Sequence, residues 1–335
     1  MIPLILRRLA QLPLILAVIY TLTLALAWAA PGNPIERPEG RRPPPEVELA
    51  MKRQYNLESF WSFYFSYLDN ATGLRFARES LRNQPSADSL NPGPTPDARP
   101  DRPVFDLGPS LQYRDRRVNE IIAESLPISV RLGLLSILLA LVIGLAAGIA
   151  GAWRPGSLLD ASTLGVALVG ISLPTFVIGT ALLLVFPVWL GLGRVGPPRG
   201  PADLLLPALT LSLPTAAYIA RLTRMGMIDQ FSSDHVRTAR AKGLPESAVI
   251  LRHALRNAMM PVVSFLGPAT AAALTGSFVV ERVFSVPGLG QHFVSAVQNK
   301  DLFLIIGVVM IYATMLVLFN LAADLMHRWL DPRIA

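Results

Sequence analysis

The sequence predicts an all-α membrane protein with six transmembrane helices. Hydrophobic residues make up 52% of the 335 residues and charged residues only 16%, whereas soluble domains carry about 25% charge. Mean hydropathy is positive, at +0.45. A bilayer core about 30 Å thick is crossed by roughly 20 apolar residues, and six runs are long enough. The predicted spans are residues 9–30, 126–153, 161–190, 204–220, 259–280 and 302–326.

The basic residues of the short loops predict the orientation of these spans. If six spans alternate in direction, all of these residues fall on one side, which in membrane proteins is the cytoplasm. Both termini are therefore expected in the cytoplasm, and residues 31–125 on the opposite face. The basic residues are Arg7, Arg8, Arg154, Arg221, Arg224, Arg237, Arg240, Lys242, Arg252, Arg256, Arg328 and Arg333.

This topology divides the chain into three regions. Residues 1–30 form an N-terminal transmembrane helix, residues 31–125 an extracytoplasmic lobe, and residues 126–335 a five-helix core with a cytoplasmic loop at about 225–258. Aromatic residues at helical spacing predict a small folded lobe or an interfacial helix. The stretch of about 72–103 is rich in Pro, Ser, Asn and Asp, which predicts a flexible insert. The aromatic residues are Tyr55, Phe60, Trp61 and Tyr64.

The first span has an alternative interpretation as a secretory signal peptide. Arg7 and Arg8 precede an apolar run that ends in ALAWAA, and this ending resembles a cleavage site with alternating alanines. The run is rather long for a signal peptide, however. Its removal would also leave an odd number of spans and place one group of basic loops on the opposite face. We therefore expect a membrane helix.

The sequence lacks the motifs of a membrane enzyme. It contains no Cys, and neither a His-Glu-x-x-His zinc motif nor a Gly-x-Ser-x-Gly nucleophile motif is present. The Walker loop that binds ATP phosphates is absent as well. We expect no catalytic residue, metal site or cofactor, and energy supplied by a partner or an ion gradient. The net charge of +7 belongs to the loops, so no nucleic acid partner is expected.

Glycine and proline residues within the spans indicate either close packing or a moving, pore-lining role. Gly144, Gly148 and Gly151 lie on or near one helix face, where small residues permit close helix contact. Prolines free backbone groups that must be buried in protein or face water. The prolines expected to interrupt later spans are Pro174, Pro214 and Pro268.

Three charged residues lie near the ends of the spans, and each fits an anchoring role. Arg131 lies near the outer end of the second span, Arg221 near the inner end of the fourth, and Asp324 near the inner end of the sixth. From such positions long side chains reach the head groups. The alternative is a role in a cavity, for which Arg131 is the best candidate because it would meet an anionic solute. Arg131 and Pro174 are the candidates for the substrate path.

The basic loop contains a short helix with a predicted start and stop. Ser233 or Asp234 fits the cap of this helix, and Gly243 followed by Pro245 fits its end. A face of small side chains would fit a groove on another protein. The alternative is a basic helix on anionic head groups, and for His235 and His253 a solvated or head-group role is expected. The small face comprises Val236, Ala239 and Gly243.

The loop also carries two recognisable sequences, RTARAKGL and RHALRNAMMPVV. They resemble the coupling loop of binding-protein-dependent ABC importer permeases, specifically the dipeptide and oligopeptide branch. The general family pattern is Glu-Ala-Ala, three residues, then Gly, and here Arg237, Thr238 and Ala239 occupy that frame ahead of Gly243. The glutamate is missing, so its charge cannot be the coupling contact in this chain.

The likeness to the B-type subunits of oligopeptide permeases extends along nearly the whole chain, apart from the Pro-rich insert. The stretches that resemble them are LRRLAQLPLIL, PGNP, PPPEVELAMKRQYNL, DLGPSLQYRDRRVNEIIAESLPISVRLG, VVERVFSVPGLGQHFVSAVQNKD and DPRI. The resemblance implies the type I ABC importer permease fold, a bacterial inner-membrane location and import of oligopeptides. It assigns the coupling contact to Val236, Arg237, Thr238, Ala239, Arg240, Lys242, Gly243 and Leu244.

The same resemblance implies the partners. They are a second homologous permease subunit, two cytoplasmic ABC ATPases and an extracytoplasmic peptide-binding protein, in addition to membrane lipid. The aromatic lobe would dock the binding protein, or else form its own core or an interfacial belt. Dipeptides, nickel and other metal chelates remain alternative substrates within the branch. A gradient-driven transporter and a membrane enzyme are the alternatives outside the branch. The sequence shows neither the buried acids in the spans that such a transporter needs nor the catalytic motifs that an enzyme needs.

Overall fold

The computed structural model describes residues 2–35, 44–82, 103–113, 115–275 and 277–330. Across these ranges the chain is mainly helical and forms no β-strand, which confirms the all-α class. The helices are α1 (Ile2–Ala29), α2 (Pro45–Gln54), α3 (Phe60–Ala71), α4 (Leu74–Arg82), α5 (Val118–Trp153), α6 (Leu158–Ser172), α7 (Thr175–Leu183), α8 (Leu205–Phe231), α9 (Asp234–Ala241), α10 (Glu246–Ala248), α11 (Leu255–Ala258), α12 (Met260–Thr275), α13 (Phe278–Val283), α14 (Leu289–Gln298) and α15 (Leu302–Leu330).

Five helical segments in the described part of the chain are long and apolar enough to cross a bilayer. They coincide with the first, second, fourth, fifth and sixth predicted spans. Charged residues are rare in them, as expected where lipid takes the place of water. The protein is therefore a multi-pass membrane protein. The segments are Ile5–Ala29, Val118–Trp153, Pro201–Phe231, Met260–Val283 and Leu302–Leu325.

The predicted third span consists of two helices, which confirms the interruption expected at Pro174. α6 and α7 are apolar enough to cross together, but their axes differ by 106°. Leu173 is extended, with ψ 133°, because the residue before a proline disfavours helical geometry, and Pro174 caps α7. By contrast, Pro214 and Pro268 lie inside α8 and α12, which corrects the prediction that they interrupt their spans. The described chain has six spans if the bent pair is one of them.

The chain forms two compact units, and the first comprises residues 1–9, 127–291 and 315–335. Within it, α5 and α8 approach each other along a row of glycines. A methyl group on Gly144 would lie 2.7 Å from the carbonyl oxygen of Ala216, and one on Gly148 would lie 2.6 Å from Cβ of Thr223. Both distances are too short for real atoms, so close packing of the helices is the role that the structure gives to these glycines.

The second unit comprises residues 10–126 and 292–314, and aromatic rings form its core. Phe63 and Tyr67, on one face of α3, are buried, and their ring centroids lie 5.1 and 6.0 Å from that of Phe303. Tyr20 stacks on Tyr67 at 5.6 Å and donates a 2.7 Å hydrogen bond to the carbonyl of Tyr64. Burial of these large rings stabilises this unit.

A buried aspartate begins α15 within the second unit. Asp301 is fully buried and caps the helix, because its Oδ1 accepts a hydrogen bond from the backbone N–H of Leu304 at 3.2 Å. Its Oδ2 accepts from the hydroxyl of Ser110 at 2.5 Å. Burial raises the pKa of Asp301, and the hydrogen bond from Ser110 opposes that shift.

The predicted lobe contains helices, as its aromatic spacing indicated. α2 and α3 are separated by a turn in which Asn56 has φ 53°. The rings of α3 that are buried in the core are those of Phe63 and Tyr67. Of the aromatic residues named in the prediction, Trp61 is 62% exposed. The other three, Tyr55, Phe60 and Tyr64, are half-buried. α4 occupies residues 74–82, which corrects the prediction of a flexible insert for this part. Residues 83–102 lie outside the described residues.

Candidate coupling site

The predicted coupling loop begins where α8 ends. A two-residue turn separates α8 from α9, and Ser233 precedes α9 with extended backbone geometry. Its hydroxyl donates a 2.5 Å hydrogen bond to the carbonyl of Gln230 at the end of α8. The predicted side-chain cap of α9 by Ser233 is therefore absent. Asp234 lies in the first turn instead, where a carboxylate favours the positive end of the helix dipole.

Gly243 ends α9 with a Schellman motif. The N–H of Gly243 donates to the carbonyl of Arg240 at 2.9 Å, and the N–H of Leu244 donates to the carbonyl of Ala239 at 3.4 Å. Gly243 has φ +73°, a left-handed conformation that glycine adopts without steric cost. Pro245 follows and caps α10, so the predicted stop and restart are both confirmed.

An ion pair bridges this turn. The guanidinium of Arg240 contacts both carboxylate oxygens of Glu246, at 2.6 and 3.3 Å, and its carbon lies 5.4 Å from the centre of the Phe231 ring. The hydrogen bonds with Glu246 raise the pKa of Arg240 above its already high value. Arg240 therefore holds the α9–α10 turn together within this chain, although both charged groups are still partly exposed.

The small face of α9 is directed into this chain. Val236 is fully buried and Ala239 is 4% exposed, and both lie in one apolar cluster with residues of α5, α8 and α11. This burial corrects the prediction that Val236, Ala239 and Gly243 form the face that enters a groove on a partner. Gly243 is exposed, and apart from its two chain neighbours no residue has an atom within 4 Å of the position where a side chain would begin. The other members of the cluster are Ala152, Met227, Val249, Ile250, Ala254 and Ala258.

The opposite face of α9 and its following turn are exposed. Arg237, Thr238, Lys242 and Leu244 all have solvent-accessible side chains, and Leu244 is 40% exposed. The site is thus a short helix fixed from beneath by apolar packing. Its outer surface carries Arg237, Lys242 and Leu244, together with Asp234 and the Arg240–Glu246 ion pair. Such a surface can receive a rigid partner, with the aliphatic side chain filling a pocket and the cations contacting acidic groups at the rim.

The two residues predicted for the substrate path are both exposed. Arg131 lies in α5, and Pro174 lies at the bend between α6 and α7. Both belong to the first unit, as does a cavity of about 420 Å³ between α5, α6, α7 and α8. Neither residue is among those that line the cavity. The role of both residues in the substrate path therefore stays a prediction.

A buried glutamate was missed by the sequence analysis. Glu281, in α13, is fully buried and accepts hydrogen bonds from two serine hydroxyls, Ser277 at 2.6 Å and Ser129 at 2.8 Å. Its second oxygen accepts from the N–H groups of Gly290 at 2.7 Å and Gln291 at 3.1 Å. The available signal was a single acid beside the glycine-rich stretch VPGLGQ. Its position fixes the turn between α13 and α14.

An ion pair between α6 and α8 was also missed by the sequence analysis. Asp160 in α6 and Arg224 in α8 form a bidentate ion pair, with distances of 2.5 and 2.8 Å. The side chains are 4% and 22% exposed, respectively. The sequence signal is an acid in the apolar α6 and a base near the end of α8, but their separation of 64 positions conceals the pairing.

Comparison with known proteins places this architecture in a family. Residues 140–335 match the family described as "Binding-protein-dependent transport system inner membrane component". The chain is 34% identical to the oligopeptide transport system permease protein OppB of Haemophilus influenzae, with 100% of this chain and 99% of that protein covered. It is 35% identical to OppB of Salmonella typhimurium over 100% and 99%, and 34% identical to the dipeptide transport system permease protein DppB of Bacillus subtilis over 95% and 92%.

A solved structure supports the fold independently. The inward-facing MetNI methionine ABC transporter in its native crystal form contains a chain that superimposes with a TM-score of 0.52 at 17% identity, covering 64% of this chain and 97% of that chain. At this identity the match concerns the fold alone. The match over residues 140–335 and the full-length relatives above 30% identity show that this chain is a member of the binding-protein-dependent transport system inner membrane component family, a permease subunit of an ABC transporter.

Proposed function

We propose that the protein is the membrane subunit of an ABC importer that carries oligopeptides across the bacterial inner membrane. The observation that carries this proposal is the full-length similarity to OppB proteins at 34–35% identity, together with α9, whose buried small face leaves a polar outer face for a partner. Since the family consists of membrane permeases, hydrolysis of ATP belongs to separate ATPase subunits. A second homologous permease, two ATPases and an extracytoplasmic peptide-binding protein complete the proposed importer.

The exposed face of α9 is the proposed contact with an ATPase. Of the residues assigned to coupling, Arg237, Thr238, Lys242 and Leu244 supply this contact from the outside. Val236 and Ala239 support it from within, because they anchor α9 to the rest of the first unit. Arg240 and Gly243 set the shape of the turn. The eight predicted coupling residues thus keep a role, but only half of them act by direct contact.

Substrate identity is tested by uptake in a strain in which this gene is deleted. We expect uptake of a labelled oligopeptide to be lost and to return when the gene is restored on a plasmid. Nickel uptake should remain unchanged, because the described part of the chain has no group of metal-ligating residues that would hold a metal ion. Normal peptide uptake in the deletion strain would contradict the proposal. Loss of dipeptide uptake alone would assign the protein to the function that DppB relatives carry in their name.

The proposed topology has both termini in the cytoplasm and residues 31–125 outside. We expect alkaline phosphatase fused after Gln84 to be active and a cytoplasmic reporter at the same position to be silent, because the basic short loops are retained on the inside. Fusions after Lys242 should give the opposite pair of signals and serve as the control. A cytoplasmic signal at Gln84 would show that the orientation is reversed.

A further inference from the structure

The last glycine of the row on α5, Gly151, is buried and lies next to the Asp160–Arg224 ion pair. A methyl group on Gly151 would lie 2.8 Å from the hydroxyl oxygen of Thr163, 3.3 Å from Oδ1 of Asp160 and 3.5 Å from Cδ of Arg224. This glycine therefore permits the close approach of α5 to α6 beside the two charges. Arg224 lies on the last turns of α8, and α8 ends only two residues before α9.

The carboxylate of Asp160 is held in place from both sides. Oδ2 accepts a 2.8 Å hydrogen bond from the N–H of Gly156 in the turn before α6. Both oxygens also contact the guanidinium of Arg224, and bidentate contacts of this kind fix direction as well as distance. The start of α6 is thus tied to the end of α8 by a contact that resists both sliding and rotation.

The other end of α6 leads to the bend at Pro174. Between these two ends α6 lines the cavity of about 420 Å³, and its lining residues are mainly apolar and small. A shift of α6 relative to α5 therefore changes the size of this cavity. α9 is fixed to the ends of α5 and α8 through its own buried face, which contacts Met227 of α8. Met227 lies about one helical turn from Arg224 on α8, so a displacement of α9 is expected to reach Arg224 through α8.

We propose that the Asp160–Arg224 pair transmits the displacement of α9 to α6, and so determines how much peptide is imported per ATP hydrolysed. This proposal rests on the coupling function proposed above. The pair is only part-buried, because the Arg224 side chain is 22% exposed, and part-exposed ion pairs contribute little to stability. A directional link between two helices, in contrast, requires the bidentate geometry. Both residues are positioning residues, and neither contacts peptide or ATP in this proposal.

The test uses the complete importer in proteoliposomes, with a labelled peptide and the binding protein. The variants are Asp160→Asn, Arg224→Lys, and the double variant Asp160→Asn with Arg224→Met, which removes both charges and leaves none unpaired. We expect the double variant to assemble with both ATPases and keep stimulated hydrolysis, while peptide imported per ATP falls about tenfold, within the usual range of coupling energies. Arg224→Lys should lie between this variant and the wild type, because it keeps the charge but loses the second contact.

The control is the ion pair between Arg8 and Asp324, which are 2.7 Å apart and also lie in the first unit. Asp324→Asn should leave the ratio of peptide to ATP unchanged, since this pair does not connect α6 with α8. A double variant at Asp160 and Arg224 with a wild-type ratio would overturn the proposal. Failure of all three variants to assemble would overturn it too, because the pair would then be a folding element.

A distance measurement gives a second readout. The chain has no Cys, so Leu159→Cys and Met225→Cys, each 52% exposed, provide two unique sites for spin labels. In the otherwise unchanged chain, the distance between labels should stay the same with and without ATP. In the double variant, the distribution of distances between the two labels should broaden or shift when ATP is added. If the unchanged chain imports no peptide at all, the proposed function fails; if it imports peptide and only the label distances disagree, the linking role alone fails.

Discussion

Glu281→Leu is expected to reduce the amount of folded protein in the membrane at least about tenfold. The substitution leaves two serine hydroxyls and two backbone N–H groups without their acceptor in a fully buried site, and each unsatisfied group costs about 1–3 kcal/mol. Gly288 increases the effect, because a methyl group there would lie 2.5 Å from Oε2 of Glu281, so the turn is shaped around this carboxylate. Quantitative immunoblots and size-exclusion profiles of detergent extracts measure the loss.

Two substitutions serve as controls for this result. Glu281→Gln should retain most of the protein, because its amide oxygen can accept from the backbone N–H groups while the serine hydroxyls rotate to accept from its amide. Glu124→Leu should have little effect, since Glu124 is 70% exposed in its ion pair with Arg116. Equal abundance of Glu281→Leu and the wild type would show that the hydrogen bonds of this site do not hold the turn.

Gly243→Val is expected to abolish peptide uptake while the protein remains in the membrane. Gly243 has φ +73°, and left-handed geometry costs other residues roughly 1–2 kcal/mol, with branched side chains among the least tolerant. The valine would displace the turn and with it the exposed side chains of Lys242 and Leu244. We therefore expect weaker association with the ATPases, or hydrolysis that loaded binding protein no longer stimulates.

The matched control for this substitution is Gly243→Asn. Asparagine tolerates left-handed geometry, and apart from the two chain neighbours no residue has an atom within 4 Å of the position where its side chain begins, so it should retain most of the uptake. Comparing the two variants separates backbone geometry from added volume. Equal loss in both would indicate that a partner contacts Gly243 directly, and normal uptake with Val would contradict the role assigned to this turn.

Hydropathy located the spans because lipid exposure is a property of composition. The interruption expected at Pro174 is present, but those expected at Pro214 and Pro268 are not, because a proline inside an apolar run is compatible with both a continuous helix and a new helix start. Pro214 and Pro268 lie within helices, whereas Pro174 caps α7 after an extended residue. Packing against the surrounding helices decides between these outcomes, and this packing cannot be deduced from the sequence of one segment alone.

In the coupling site, too, features set by the local sequence were predictable and features set by packing against other helices were not. The Gly243 stop and the pairing of Val236 with Ala239 on one helix face follow from local geometry, and both were predictable. Whether that face is directed inward or outward depends on the turn from α8 and on packing against α5, which is distant in sequence, and this direction was predicted wrongly. Asp160 and Arg224 were missed for the same reason, since charges in apolar segments become informative only when the helices that bring them together are known.

The composition of the exposed face of α9 bears on how a cell keeps several importers separate. If this face contacts an ATPase as proposed, its exposed cations Arg237 and Lys242 favour an acidic patch on that partner. Under that proposal, surface charge contributes to the choice between ATPases of related importers, because the small side chains of α9 are packed inside this chain. A mismatched ATPase would be rejected by repulsion before any close fit is reached, and this discrimination would weaken as ionic strength rises.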